Sequence, residues 1–158
     1  MNHRTTTAAL LLAATLALTA CSSSDSSVNK ADPKPKASTP KKQAGPTAKQ
    51  AAAQLAKATG VTTLGDPKDN TGSCSNKAAG MKANAKDCSQ LITTDTVSIY
   101  EFPSVKVADQ WTTSRKKIDK TWRQVDRYAL SWSSRDQALT SKDRRTELET
   151  ALRKITKP

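Results

Sequence analysis

From residue 47 onward, apolar and polar positions alternate in patterns that predict one small set of elements. Ala48, Ala51, Ala52 and Leu55 recur at helical spacing behind Thr47, a residue suited to cap a helix start. Gly60 suits the position just past its end, so a first helix is predicted over 48–59. Val61 to Leu64 reads as a short strand, and Gly65-Asp66-Pro67 as a turn. Gln90 to Thr93 and Val97 to Phe102 are rich in β-branched and aromatic residues. With Thr94-Asp95-Thr96 between them they predict a hairpin.

Ser104 is placed to cap a second helix over 105–119, whose inner face would carry Val107, Ala108, Trp111 and Ile118. Tyr128, Leu130 and Trp132 alternate with Ala129 and Ser131, which predicts a strand at 124–133. Leu148, Ala151, Leu152 and Ile155 form an i, i+3, i+4, i+7 stripe over 141–156, behind a capping box formed by Thr140 and Asp143. Arg145 with Glu149 and Glu149 with Arg153 are spaced to pair along that helix, at a few tenths of a kcal/mol each. The predicted order is α-β-β-β-α-β-α, with a strand–helix–strand crossover in the second half. This is an α+β fold: a small, mainly antiparallel sheet with helices packed on one face.

Composition bounds this picture. Leu, Ile, Val and Phe make up only 23 of 158 residues, and the formal net charge is +12. The apolar supply supports one small core and no two-lobed architecture. Before residue 47 the pattern is of another kind. Met1 to Ala20 opens with His3 and Arg4 and continues in an uncharged run from Ala8 to Leu18. That run is short of the roughly 20 residues a bilayer span needs, and it suits a secretion signal. Residues 21–46 are rich in Ser, Lys and Pro, with Val28 as the one large aliphatic residue. They bury too little to offset the entropy of ordering, so a disordered tether is predicted. Its five lysines (Lys30, Lys34, Lys36, Lys41 and Lys42) face two acids, Asp25 and Asp32. A flexible chain of about 25 residues averages roughly 25–30 Å end to end. The domain expected to follow is 47–158.

Leu18-Thr19-Ala20-Cys21, small residues and a Cys closing an apolar run, resembles the lipobox of bacterial lipoproteins. The resemblance implies that Cys21 receives a diacylglyceryl group and becomes the first residue of the mature chain. Two acyl chains give stable attachment where one would not, at about 0.8 kcal/mol per buried CH₂. The order of elements after Thr47 is similar to the small domains of actinobacterial lipoproteins. The likeness is carried by Ala51 to Gly60, the hairpin after Cys88, Phe102-Pro103-Ser104 leading to Trp111, the Trp132 strand and the last helix. The polar stretch between Cys74 and Cys88 is longer than in that pattern. The resemblance implies a location on the outer face of the cytoplasmic membrane and brings no catalytic residues with it.

With Cys21 lipidated, Cys74 and Cys88 remain, and an extracytoplasmic location favours their oxidation to a disulfide. A closed loop of about 15 residues contributes about 3 kcal/mol in the chain-entropy treatment. A metal site is disfavoured: there is no second Cys pair, and the only His, His3, leaves with the signal. No cofactor is implied either.

Enzymatic chemistry finds little support. Histidine catalysis is closed to the mature chain, and the thiols are committed. Ser-x-x-Lys occurs at Ser38–Lys41 and Ser114–Lys117, without the partner motifs that acylating enzymes require. Asp95, Glu101, Asp109 and Asp126 are available acids, but nothing in their spacing pairs them. What remains is basic charge. Residues 47–158 hold 20 Lys and Arg against 12 Asp and Glu, and Arg115, Lys116, Lys117, Lys120, Arg123 and Arg127 cluster around Trp122. Such a strip suits a polyanion, and outside the cell the candidates are an anionic wall polymer, anionic lipid or acidic glycan rather than nucleic acid. Trp111 and Trp132 read as core, and Trp122 as the aromatic to watch. Two functions are expected on this basis. One is a membrane-anchored, non-enzymatic module binding an anionic envelope component or a partner protein. The other is an accessory or inhibitory lipoprotein that modulates an envelope enzyme or transporter, its specificity in the 74–88 loop.

Overall fold

The structure is a computed structural model that describes residues 45–157. The predicted signal, Cys21 and most of the predicted tether lie outside the described residues. The described chain is α+β, with four helices and one five-stranded antiparallel sheet. None of its helices is long and apolar enough to cross a membrane.

The chain enters through Thr47, whose hydroxyl accepts from Gln50 N while the Gln50 amide oxygen accepts from Thr47 N, a reciprocal cap. Helix α1 (Ala48–Ala58) buries its Ala48, Ala51, Ala52, Leu55 and Ala56 face. It ends in a Schellman motif. Gly60 takes φ +72°, its N–H bonds Lys57 O, and Val61 N–H bonds Ala56 O. The next segment differs from the prediction. Val61 to Leu64 is not a strand; it tucks Leu64, 3% exposed, beneath α1. The edge strand is instead β1 (Lys68–Asp69), which is short and polar.

A single 3-10 turn (Thr71–Ser73) leads into the Cys74–Cys88 loop. The predicted hairpin follows as β2 (Gln90–Thr93) and β3 (Ser98–Glu101), with Leu91 opposite Tyr100 and Ile92 opposite Ile99. Helix α2 (Val105–Lys116) starts at Ser104, as expected, but stops short of Ile118, which stands 83% exposed in the loop beyond. The predicted strand at 124–133 is two strands, β4 (Arg123–Val125) and β5 (Tyr128–Ser131), reversed through Asp126-Arg127. Asp126 adopts φ +52°, a left-handed conformation that Asp tolerates and that turns the chain back. One helical turn, α3 (Arg135–Ala138), precedes α4 (Lys142–Thr156). The α4 cap is Ser141, which accepts from Arg144 N, and not Thr140, whose hydroxyl reaches Thr96 O. Of the two ion pairs expected along α4, Glu149–Arg153 forms at 2.7 Å, while Arg145 turns away to Ala138 O.

The sheet order is β1-β2-β3-β5-β4. Because every neighbouring pair is antiparallel, β4 runs parallel to β3 with β5 between them, so β3–α2–β4 is a split crossover. The expectation of helices on one face is corrected here. Ile92, Ile99, Tyr128 and Leu130 face α1 and α4, whereas Leu91, Tyr100 and Ala129 face α2 and the disulfide loop. All four β5 residues are buried, which a sheet covered on only one side would not allow.

Candidate functional site

The layer of α2 and the disulfide loop that covers the second face of the sheet carries the concave surface of interest. Four aromatic rings pack in that layer, and of these Trp111 lines the cavities described below. Tyr100 stacks on Phe102 with centroids 6.2 Å apart and lies 4.8 Å from Trp122, and Phe102 lies 5.6 Å from Trp111. Burial pushes the Tyr100 phenol above its ordinary range, so it stays neutral. Trp122, the aromatic singled out within the basic strip, is 4% exposed and a core residue. Trp132, 2% exposed, is core as expected. Trp111 is the ring at the surface, half-buried on α2.

Trp111 is held from three sides. Its Nε1–H donates to Lys86 O at 2.8 Å, its ring leans on Tyr100 and Phe102, and the Arg115 guanidinium carbon sits 5.2 Å above its centroid. Arg115 is one helical turn beyond Trp111, which places both side chains on the same flank of α2. Together with Lys86, Gln110 and Ser114 they line a cavity of about 290 Å³. A second cavity of about 350 Å³ shares Trp111 and Lys86 and runs along the disulfide loop past Met81 and Asn84. The first cavity has two cations and no acid in its lining. Among the described residues neither Lys86 nor Arg115 forms an ion pair.

The loop that brings Lys86 to Trp111 is fixed by covalent and polar ties. Cys74 and Cys88 are bonded with Cα atoms 5.5 Å apart, and Cys88 N–H bonds Cys74 O. The Asp87 carboxylate accepts from the backbone N–H of Lys77 and of Asn84, each at 3.1 Å. Desolvation opposes its charge, yet these bonds outweigh that and hold the carboxyl below its ordinary value. Asp87 thus closes the loop from inside, as the disulfide closes it at the ends.

The basic strip separates in space. Arg115 stays at the cavity. Lys116, Lys117 and Lys120 are exposed at the end of α2 and in the loop after it. Arg123 folds onto the carbonyls of Lys120 and Trp122 and lies 3.8 Å from Glu149. Arg127 is not a surface cation at all. It is 7% exposed and pairs with the equally buried Glu101 at 2.5 Å. A strand read as continuous put Arg127 on a face, whereas the turn at Asp126 sends it inward.

The acids weighed for catalysis do not line the Trp111 cavities. Glu101 is engaged by Arg127 and by Ala48 N–H, Asp95 sits in the β2–β3 turn against Gly65, Asp126 marks the β4–β5 turn, and Asp109 is exposed on α2. Ser114 lines the first cavity, with Lys117 exposed further along the chain. No group of three or more His, Cys, Asp or Glu side chains among the described residues could hold a metal ion. The sequence did hold a signal for this cavity: Trp111 and Arg115 at i, i+4 on a predicted helix. The pairing with Lys86 depends on the disulfide loop's path, which no local pattern encodes. Compared with protein-family models, curated protein sequences and solved structures, the chain has no significant match in any of the three.

Proposed function

We propose that this protein is a lipoprotein anchored through Cys21 on the outer face of the cytoplasmic membrane. Its folded part is a non-enzymatic module that binds an anionic envelope component in the cavity beside Trp111. The observation that carries the reading is the convergence of Arg115 and Lys86, two cations without acidic partners, on one aromatic-walled cavity. An arginine stacked on an indole presents its guanidinium edge outward. That edge is a planar fork of donors suited to phosphate or carboxylate oxygens. Ser114 and Gln110 add neutral polar groups at the rim, as a hydroxyl-bearing polymer would require.

Titration with soluble poly(glycerol phosphate) tests the reading. Binding is expected to weaken steeply with added salt. The pair Arg115→Gln and Lys86→Gln is expected to lower affinity about tenfold, near 1.4 kcal/mol. Equal affinity in parent and variant would overturn it. The anchor has its own test, incorporation of a fatty-acid analogue by the parent and not by Cys21→Ala. The second reading, an accessory subunit contacting a protein through the 74–88 loop, draws on Met81, 60% exposed on that loop. Salt-tolerant capture of one partner, lost on Met81→Ser, would favour it.

A further inference from the structure

The end of the molecule opposite the chain's point of arrival has a composition of its own. Pro46 and Ala48 are bound to Arg127 and Glu101, so the chain arrives at the sheet end marked by Glu101 and the β4–β5 turn. The other end is marked by Ser98 and Ser131, paired across β3 and β5. There stand Ile118 and Leu139, each 83% exposed, the most exposed large apolar side chains among the described residues. They sit on different loops that are fastened together. Asp119, next to Ile118, accepts from the Ser133 hydroxyl at 2.8 Å. On the Leu139 side, Arg145 donates to Ala138 O, and its guanidinium carbon lies 5.5 Å from the centroid of the Trp132 ring. Desolvation works against the Asp119 charge, but bonds from Thr121 and Ser133 and the nearby Arg145 hold its carboxyl below the ordinary value. Gln137 ties the same region to Ser98 and to Thr94 O, and Thr140 ties it to Thr96 O.

Cations surround the two aliphatic tips. Lys116, Lys117 and Lys120 flank Ile118, and Arg135 and Lys142 flank Leu139, all exposed. None of the five forms an ion pair among the described residues. Exposed acids at this end are Asp66, Asp95, Asp136 and Asp143, and Asp66 is paired with Lys68, so positive charge dominates. We infer that this end is a membrane-docking surface for anionic lipid, with Ile118 and Leu139 entering the interfacial layer and the cations meeting headgroup phosphates. Shape decides between lipid and protein. Neither Ile118 nor Leu139 lines a cavity described above, so they offer a protein no groove to match, whereas a fluid interface accepts single protruding side chains. The cation ring then selects anionic headgroups. This surface is distinct from the Trp111 cavity, and the inference does not rest on what that cavity binds.

The test reads immersion at the tip, so that membrane binding by any other part of the chain does not count. In the full chain carrying Cys21→Ser, an environment-sensitive fluorophore is attached through Ile118→Cys or, as a control on exposed α4, through Thr150→Cys. Vesicles of phosphatidylcholine with phosphatidylglycerol should shift the 118 probe to the blue and let spin-labelled lipid quench it, leaving the 150 probe aqueous. Leu139→Ser, or Lys116→Gln with Lys117→Gln and Lys120→Gln, should raise the lipid concentration at half-effect about tenfold. Pure phosphatidylcholine should give a much weaker shift. The sites changed at residues 116–150 are all exposed, and an unaltered thermal midpoint would show that the fold is kept. A 118 probe that stays aqueous on anionic vesicles, or that responds no more than the 150 probe, overturns the inference. So does a 118 probe occluded only by detergent-solubilised envelope proteins, which would assign this end to a protein partner.

Discussion

The ion pair of Glu101 and Arg127 is the most consequential single interaction in the interior. Glu101 divides its two oxygens: Oε1 takes the Arg127 guanidinium, and Oε2 accepts Ala48 N–H at 2.8 Å, in the first turn of α1. Arg127 also donates to Pro46 O and to the Tyr128 hydroxyl, and that hydroxyl donates to Pro46 O. One carboxylate therefore holds the start of α1, the β4–β5 turn and the arriving chain in a single network. Removing one member leaves the other's charge in the interior without that compensation, whereas removing both does not. Glu101→Ala is thus expected to cost about 3–5 kcal/mol, and Glu101→Leu with Arg127→Met far less. Urea unfolding of the two variants checks this. If the double variant is as unstable as the single one, the network contributes through its shape rather than its charge balance.

Among the elements, the β4–β5 hairpin turns on one backbone conformation. Asp126 at φ +52° is open to Gly and strained for a β-branched side chain. Asp126→Gly is expected to change stability little, and Asp126→Val to lower it by about 1–2 kcal/mol, read from the denaturation midpoint at unchanged slope. The same turn shows where sequence patterns stop. Helix α1 was legible because cap, stripe and terminal glycine coincide, and α4 because its apolar stripe is complete, although its cap is Ser141 rather than Thr140. The β2–β3 hairpin was legible because its turn residues are polar and its strands rich in β-branched side chains. Asp126-Arg127 gave no such signal. Arginine is no turn former, and its place is set by Glu101, 26 positions earlier in the chain. Thr62 and Thr63 suggested a strand, yet that stretch serves Leu64, and the edge pairing passes to Lys68–Asp69, which has no apolar residue to betray it. Leu91 and Ile92, adjacent in sequence, are both buried because the sheet is covered on two sides. The exchange between Trp111 and Trp122 follows from that second face. With α2 and the disulfide loop covering it, Trp122 has a layer to be buried in, and Trp111 is left at the layer's edge.

At the scale of the whole molecule, the sheet lies between unequal layers. One side is closed by α1 and α4 around Leu55, Leu148 and Leu152, a contiguous apolar core. The other is closed by a single helix and a loop that has Met81 as its one large apolar residue, itself exposed. That loop covers Leu91 and Phe102 chiefly with the two cysteines, so its hold on the sheet depends on the bridge and on the Trp111–Lys86 bond. Cys74 and Cys88 are 14 positions apart, and closing a loop of about that length contributes about 3 kcal/mol. Cys74→Ser with Cys88→Ser should therefore lower the thermal midpoint while sparing the α1–α4 side. The loss should be seen first around Trp111: its fluorescence should move to the red at denaturant concentrations where far-ultraviolet ellipticity still reports α1 and α4. In the parent protein the two signals should fall together. Affinity for poly(glycerol phosphate) should fall with the fluorescence, because Lys86 reaches the cavity only as part of the closed loop. If both probes still coincide in the Ser variant, the two faces unfold as one unit, and the bridge stabilises the whole sheet rather than its second layer.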